Sequence, residues 1–421
     1  MIINSHKEKF IFYNIPVFLF CLLPFFLITG PFLSDLSISL ISLLFLIYCL
    51  KEKKFTYFKN KYFYFFLIFW IYLIFNSLIN NINLDSLKIS FFYFRYGVFV
   101  IAMITLMKVD DKFVKYFFYC MFLCFTILII DGFYQYFVGE NIFGIKSIDK
   151  SRISSFFGDE MILGSYLSRL WPIFFGLSIL FFKKKDKLFI ILVLIFILSE
   201  VLIFLSGERT AFFYINLSAI FVIIFSHKLF KLRLITLVSS LLLLLIISYF
   251  NPSAKERIID KTLTQMNLNN PEKIKEEGMY IFSKEHMNHY ISAYKIFLDN
   301  KIIGVGVKNF RNFCNVERYK SKNSCSTHPH NIYIQMLTET GIIGFLFLIF
   351  IFFYFCKSMI KHLFSKFKGK YYFTDFEICI FSGIIIFLWP FIPTGSVFNN
   401  WLNIIAYMYL PFLIWGKKLI K

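Results

Sequence analysis

The chain has 421 residues, of which 58% are hydrophobic and 22% aromatic, with 61 Phe and 25 Tyr. That is more apolar surface than a soluble domain can bury, and it falls in sparsely charged runs of about 17–25 residues, the length of a bilayer-spanning helix. A net charge of +20 would suit nucleic acid in a soluble protein, but here membrane topology accounts for it and no nucleic-acid partner is expected.

In chain order, twelve spans are expected, at about 11–29, 33–50, 62–79, 90–107, 116–134, 161–182, 188–205, 210–226, 234–250, 332–356, 376–392 and 400–416. The fold class is an all-α polytopic integral membrane protein. Transmembrane helices one to nine occupy 1–250, one large outer loop fills 251–331, and helices ten to twelve occupy 332–421. The first run lacks a small-residue cleavage site and reads as a retained helix. With both termini inside, the inner segments hold 25 lysines and arginines and the short outer segments five, a clear positive-inside bias. Arg233 belongs to the inner segment 227–233 in this reading.

Arg95 and Arg169 fall inside spans. Arg95 lies near its helix end and is expected to snorkel to the interface, whereas Arg169 is two turns deep. The loop after span five is polar, with Lys146, Lys150 and Arg152 close to the carboxylates Asp159 and Glu160. Ser206-Gly-Glu-Arg-Thr-Ala211 makes a tight turn between spans seven and eight. There Thr210 or Glu208 can cap the new helix, and Arg209 sits on the outer rim, with Glu208 as its simplest partner.

The long outer loop opens at Asn251-Pro252. It continues with an amphipathic helix over 254–266 that carries Arg257, then a polar stretch over 267–278. A second helix over 284–298 is expected to present Met287, Tyr290, Ile291, Tyr294 and Phe297 on one face. Its Glu285, His286 and His289 read as a solvated face, because no third ligand is spaced to complete a metal site. Lys308-Asn-Phe-Arg311 follows Gly304-Val-Gly306, which is too short for a nucleotide fingerprint. Cys314 and Cys325 share this loop and are expected to pair on an oxidising face.

Ser326-Thr-His-Pro-His-Asn331 then runs from a proline-kinked loop into the tenth span, read as one unbroken helix to about Phe355. His330 at its mouth is a candidate proton acceptor, and His328 is read as shaping the loop. Glu339 is too deep to stand alone, so Arg95 or Arg169 is its expected partner. Gly341 and Gly344 are read as close-packing positions. One imidazole base among permanent cations suits transfer from a phosphate or pyrophosphate donor, with guanidinium groups holding the departing anion.

His330-Asn331, nine residues, then Gly341-Ile-Ile-Gly344 resembles the histidine signature of the O-antigen ligase family. Ser206-Gly-Glu-Arg-Thr-Ala211 and Asn300-Lys-Ile-Ile-Gly-Val-Gly306 followed by Phe310 resemble its arginine turn and its glycine-rich segment. The resemblance implies a GT-C-like fold and a metal-independent, inverting glycosyltransferase of the bacterial inner membrane, with its active site facing the periplasm and with no cofactor. It implies a glycan donor linked to undecaprenyl pyrophosphate, a lipid A-core acceptor, and a membrane-lipid setting. Carried over by motif, His330 is the general base and Arg209 a catalytic and pyrophosphate contact. Arg152, Arg257 and Arg311 are further pyrophosphate candidates, and Cys314, Cys325, Gly341 and Gly344 are structural. An O-antigen polymerase, a protein O-oligosaccharyltransferase and, in another class, a lipid-linked sugar flippase are the competing readings.

Overall fold

The computed structural model describes residues 6–80, 84–149, 152–182, 187–250, 255–269, 272, 274–275, 278–280, 282–321 and 323–417. Lys150, Asn251–Pro252 and much of the polar 267–278 stretch lie outside these. Among the described residues the architecture is helical throughout, with a single isolated bridge between Glu140 and Lys146 and no sheet.

A helix occupies each of the twelve apolar runs: α1 (Ile15–Phe26), α2 (Pro31–Lys51), α3 (Lys61–Ile79), α4 (Leu84–Val109), α5 (Phe113–Val138), α6 (Leu163–Phe181), α7 (Lys187–Leu205), α8 (Arg209–Phe225) and α9 (Phe230–Phe250), then, after the loop helix α10 (Lys284–Asp299), α11 (Ile332–Phe367), α12 (Asp375–Leu388) and α13 (Asn400–Gly416). Eight of them, α2 to α7, α9 and α11, are long and apolar enough to cross a membrane. The chain is an all-α polytopic membrane protein.

Local chemistry sets the helix ends. The Asn60, Asn331 and Asn399 side chains accept backbone N–H groups at the starts of α3, α11 and α13, and Thr374 and Glu377 form a reciprocal capping box on α12. α6 is the central post: 83% of its apolar window is buried, and it packs against α12, α8 and α7. α9 and α11 are peripheral, with 22% and 17% of theirs buried. Their outward Leu, Ile and Phe side chains form an apolar surface suited to lipid.

Two expectations change here. α9 begins at Phe230, so Arg233 is not in an inner loop. It is fully buried and paired with Glu200 of α7, bonded to Thr236, and stacked 4.3 Å over Trp171 of α6. Arg95 does not snorkel but bonds Asp35 of α2 at 2.6 Å.

α11 is also not one continuous helix. It runs on to Phe367, beyond the expected end, and at Gly341 the backbone turns to φ 63°, ψ −168°, a conformation open almost only to glycine. The break frees carbonyls that the 301–306 segment uses. Val305 N–H donates to Thr338 O (3.0 Å) and Gly306 N–H to Glu339 O (2.9 Å), while Ile342 N–H donates to Lys301 O (2.9 Å). A methyl group on Gly341 would strike the Ile302 carbonyl, and one on Gly304 the backbone of residues 339–341. The two glycines let two backbones lock together. Gly341 therefore approaches a loop backbone, while a methyl group on Gly344 would strike the Thr340 side chain and meet the Tyr72 ring of α3 at 3.2 Å.

Candidate functional site

The loop end of the bundle gathers the charged side chains on two sides of one histidine cluster. On the first side, the turn at Gly207 (φ +67°) is crossed by two arginines. A methyl group there would meet Arg257 Cδ and Nε at 2.8 Å and Arg152 Cγ at 2.9 Å. Arg152 donates to Ser206 O (3.0 Å) and Met161 O (2.9 Å), and Arg257 donates to Gly207 O (3.2 Å) and pairs with Asp149 at 2.7 Å. Arg209, at the start of α8, donates to Gln265 Oε1 (2.6 Å) and Thr262 Oγ1 (3.4 Å). The three guanidinium groups lie close enough to repel one another, and burial lowers the Arg152 guanidinium from its ordinary value.

Glu208 is neither the partner of Arg209 nor a side-chain cap of α8. Its carboxylate accepts from Gly164 N–H (2.6 Å) and from Ser165 N–H and Oγ–H (3.1 and 2.6 Å). It thereby caps the N-terminal end of α6, where a negative charge is favourable. Burial raises the carboxyl against these hydrogen bonds. Asp159 and Glu160 are exposed and leave Arg152 to Asp149 and Glu208.

Between the cationic groups sit four imidazoles. His330 lies 4.2 Å from His328, 5.3 Å from His289 and 5.6 Å from His286 by ring centroids, and its Nε2 is 3.0 Å from the Ser326 hydroxyl. Burial, then His286 and His289, push the His330 imidazole down to about 4, so it is neutral at pH 7. His328 is pushed to about 3, by burial first and by His330 next, and Arg311 adds to this from the second side. His286 is pushed to about 4 by burial and His289, with Arg209 adding to it from the first side.

His330 holds a left-handed backbone (φ +57°), uncommon for a residue with a side chain. It is held there from both directions. Thr394 N–H donates to His330 O (2.8 Å), and Asn331 Nδ2 donates to Pro390 O (2.7 Å). The loop ahead of it is joined by a Cys314–Cys325 disulfide, and His328 Nε2 is 3.2 Å from Thr394 O.

α10 buries a different stripe from the expected one, although the Tyr290 hydroxyl of the expected face is buried as well. Ile291 and Tyr294 are exposed, Tyr294 by 60%, while Ser292, Ala293 and Ile296 are buried. The inward stripe is His286, His289, Ala293 and Ile296, so both histidines, half-buried, face His330. His289 Nδ1 bonds Ser324 O at 2.7 Å, and His286 Nδ1 bonds Ser283 Oγ at 2.7 Å. Among the described residues no three His, Cys, Asp or Glu side chains are arranged to hold a metal ion.

Glu339 pairs with no arginine. It accepts from Lys308 N–H (3.0 Å), Phe310 N–H (3.2 Å) and Gln335 Nε2 (2.9 Å). Gln335 in turn holds Ser396 and Val397 (both 2.9 Å), so a buried polar knot joins α11, the 304–310 segment and the 389–399 loop. Arg169, 3% exposed, reaches Thr394 Oγ1 at 3.3 Å and lies 4.6 Å over the Tyr214 ring. The resemblance pointed to His330 and the arginines but not to His286, His289, Thr394 or Arg169. The spacing of residues 286, 289, 293 and 296 is the one signal that could have turned α10 correctly.

Comparison with known families finds a similarity over part of the chain. The family model described as O-antigen ligase matches residues 190–349. Residues 190–349 are thus similar to the O-antigen ligase family. The matched stretch runs from α7 into α11 and contains Arg209, Arg257, Arg311, the disulfide, His330 and both glycines of the α11 break. Arg152, Arg169 and the Thr394 loop lie outside it. No curated protein matches the chain.

Proposed function

We propose that the chain is a glycosyltransferase of the inner membrane that moves an O-antigen glycan from undecaprenyl pyrophosphate to lipid A-core at the periplasmic face. The observation that carries this reading is the neutral, buried imidazole of His330 in a histidine cluster whose His286 feels Arg209 and whose His328 feels Arg311, with Arg152 and Arg257 beside Arg209, in a chain with a stretch similar to the O-antigen ligase family.

An acceptor hydroxyl attacks the anomeric carbon of the first sugar as the bond from that carbon to the pyrophosphate oxygen breaks. The new glycosidic bond forms on the opposite side, which inverts the centre. The hydroxyl proton passes to His330, and undecaprenyl pyrophosphate leaves with the bonding electrons. Arg209, Arg152, Arg257 and Arg311 hold the pyrophosphate and take up its growing charge. Bound pyrophosphate also raises the His330 imidazole, so that it becomes a stronger base once the donor is in place. No residue in this scheme requires a metal or cofactor. The domains divide accordingly: 1–250 and 332–421 build the bundle, and 251–331 covers the periplasmic site.

The test is transfer by purified protein in detergent, with lipid-linked glycan and lipid A-core supplied and no gradient across a membrane. Glycan joined to lipid A-core supports the ligase. Lengthened lipid-linked glycan would turn the assignment to a polymerase, glycan on protein to an oligosaccharyltransferase, and absence of any transfer to a flippase.

A further inference from the structure

Arg95, Arg169 and Arg233 lie inside helices of the bundle, past the first residue of each, and they differ in what neutralises them. Arg95 has Asp35 and Arg233 has Glu200. Among the described residues Arg169 has no carboxylate partner: one nitrogen reaches a threonine hydroxyl, and its Nε and Nη1 are buried with no hydrogen-bond acceptor. Its remaining contacts are the Tyr214 ring at 4.6 Å and the Phe387 ring at 5.5 Å. A buried permanent cation faced by rings and one hydroxyl is costly unless an anion completes it.

Its position shows where such an anion would come from. The guanidinium points at Thr394, whose N–H holds the His330 carbonyl and whose carbonyl meets His328. Tyr214 lies five residues beyond Arg209 on α8, about 7.5 Å of helix rise, so Arg169 sits below the arginine group and beside the histidines. A second donor lies nearby. The Tyr290 hydroxyl on α10 is buried without a partner, its phenol is raised to about 12 by burial with Tyr214 adding to it, and its ring is 6.5 Å from that of His286. Arg169 and Tyr290 are both donors, so the missing group is an acceptor.

We propose that Arg169 is a further substrate-binding residue, which takes a phosphate oxygen beneath the histidine cluster with the Tyr290 hydroxyl as a second donor. The identity of that phosphate as the donor's pyrophosphate rests on the glycosyltransferase reading; a phospholipid headgroup offers the same chemistry. Arg169 acts as the deep contact, while Arg209, Arg152 and Arg257 hold the outer part of the same anion.

The experiment is thermal unfolding of the purified full-length protein, titrated with inorganic pyrophosphate in detergent and, separately, with phosphatidylglycerol in phosphatidylcholine nanodiscs. Pyrophosphate is expected to stabilise the wild type. Arg169→Gln should require at least about tenfold more, since a charge-assisted hydrogen bond is worth roughly 1.5–3 kcal/mol. Tyr290→Phe, which removes an unpartnered buried hydroxyl and leaves packing intact, should require several-fold more, and it carries the test if Arg169→Gln fails to fold. An Arg169- or Tyr290-dependent response to phosphatidylglycerol alone supports the phosphate site and assigns it to a lipid headgroup. Variants that respond like the wild type to both ligands overturn the proposal. Failure of the wild type to transfer glycan would remove the glycosyltransferase reading and leave this titration standing, so the two failures are distinguishable.

Discussion

Arg233 and Arg169 are both sealed inside the bundle, and both stack on an aromatic ring of a neighbouring helix. Arg233 belongs to a closed, charge-compensated set: Glu200 supplies the opposite charge, Thr236 bonds Arg233 and Ser240 bonds Glu200, although Arg233 Nε and Nη2, like two nitrogens of Arg169, have no acceptor. Arg169 belongs to an open set at the loop end, where cations and imidazoles outnumber carboxylates and its hydrogen-bond contact is Thr394, whose N–H holds the His330 carbonyl. A compensated buried charge is a structural feature, and its loss is read in stability. An uncompensated one is prepared for something that arrives, and its loss is read in binding or rate.

The largest expected effect lies in the open set. His330→Ala should lower glycan transfer by about 10²–10⁴-fold, the usual contribution of a positioned general base, with little change in thermal unfolding. Retained transfer would move the base elsewhere in the cluster, His328 at 4.2 Å being the next candidate by distance. In the closed set the pattern reverses. Glu200→Leu strands Arg233 and should cost about 3–5 kcal/mol, whereas Glu200→Leu with Arg233→Met should recover most of it. Equal melting of the single and double variants would mean that Arg233 is compensated by some group other than Glu200.

The contrast between these sets was only partly legible in the sequence. Twelve apolar runs were read as twelve helices because span length and charge are local properties. The His330 to Gly344 spacing and the arginine turn are local too, and they pointed to His330 and Arg209, while Arg152, Arg257 and Arg311 were matched by position alone. What was missed is tertiary. Residues 233 and 200 are 33 apart, and nothing local joins them, so Arg233 was assigned to a loop. The buried stripe of α10 was misread because Ile291 and Tyr294 look outward, while the side packed against α11 uses serine, alanine and histidine. Glu339 was assigned an arginine because backbone donors from a distant loop cannot be read from side-chain identity.

A third prediction concerns the clasp that holds the open set in place. Gly341→Ala introduces a methyl group against the Ile302 carbonyl at a backbone conformation reserved for glycine. It should cost about 2–3 kcal/mol and, by releasing Val305 and Gly306 from α11, lower transfer among the molecules that remain folded. Thermal unfolding beside specific activity separates the two effects, and a stable, fully active variant would show that the clasp does not position the site.

The smallest effect is a displacement of the pH profile. His330 is neutral above about 4, so kcat/KM, which reports the free enzyme, should persist well below 6.5 and fall only as pH drops through about 4. The groups facing His330 are His286 and His289 from α10, and His328 and Ser326 from its own loop. Protonation of any one imidazole opposes protonation of the others, so the cluster titrates as a set. His286→Asn removes one opposing charge, and the acid limb should move upward, toward the value of a free imidazole, with the plateau at neutral pH little changed. The sign is the informative part. A downward shift would mean that His286 supports the His330 imidazolium instead of opposing it, and a limb unmoved from wild type would mean that burial alone sets the base. In that last case the open set would owe its reactivity to desolvation, as the closed set owes its stability to pairing, and the histidines of α10 would serve only to position the ring.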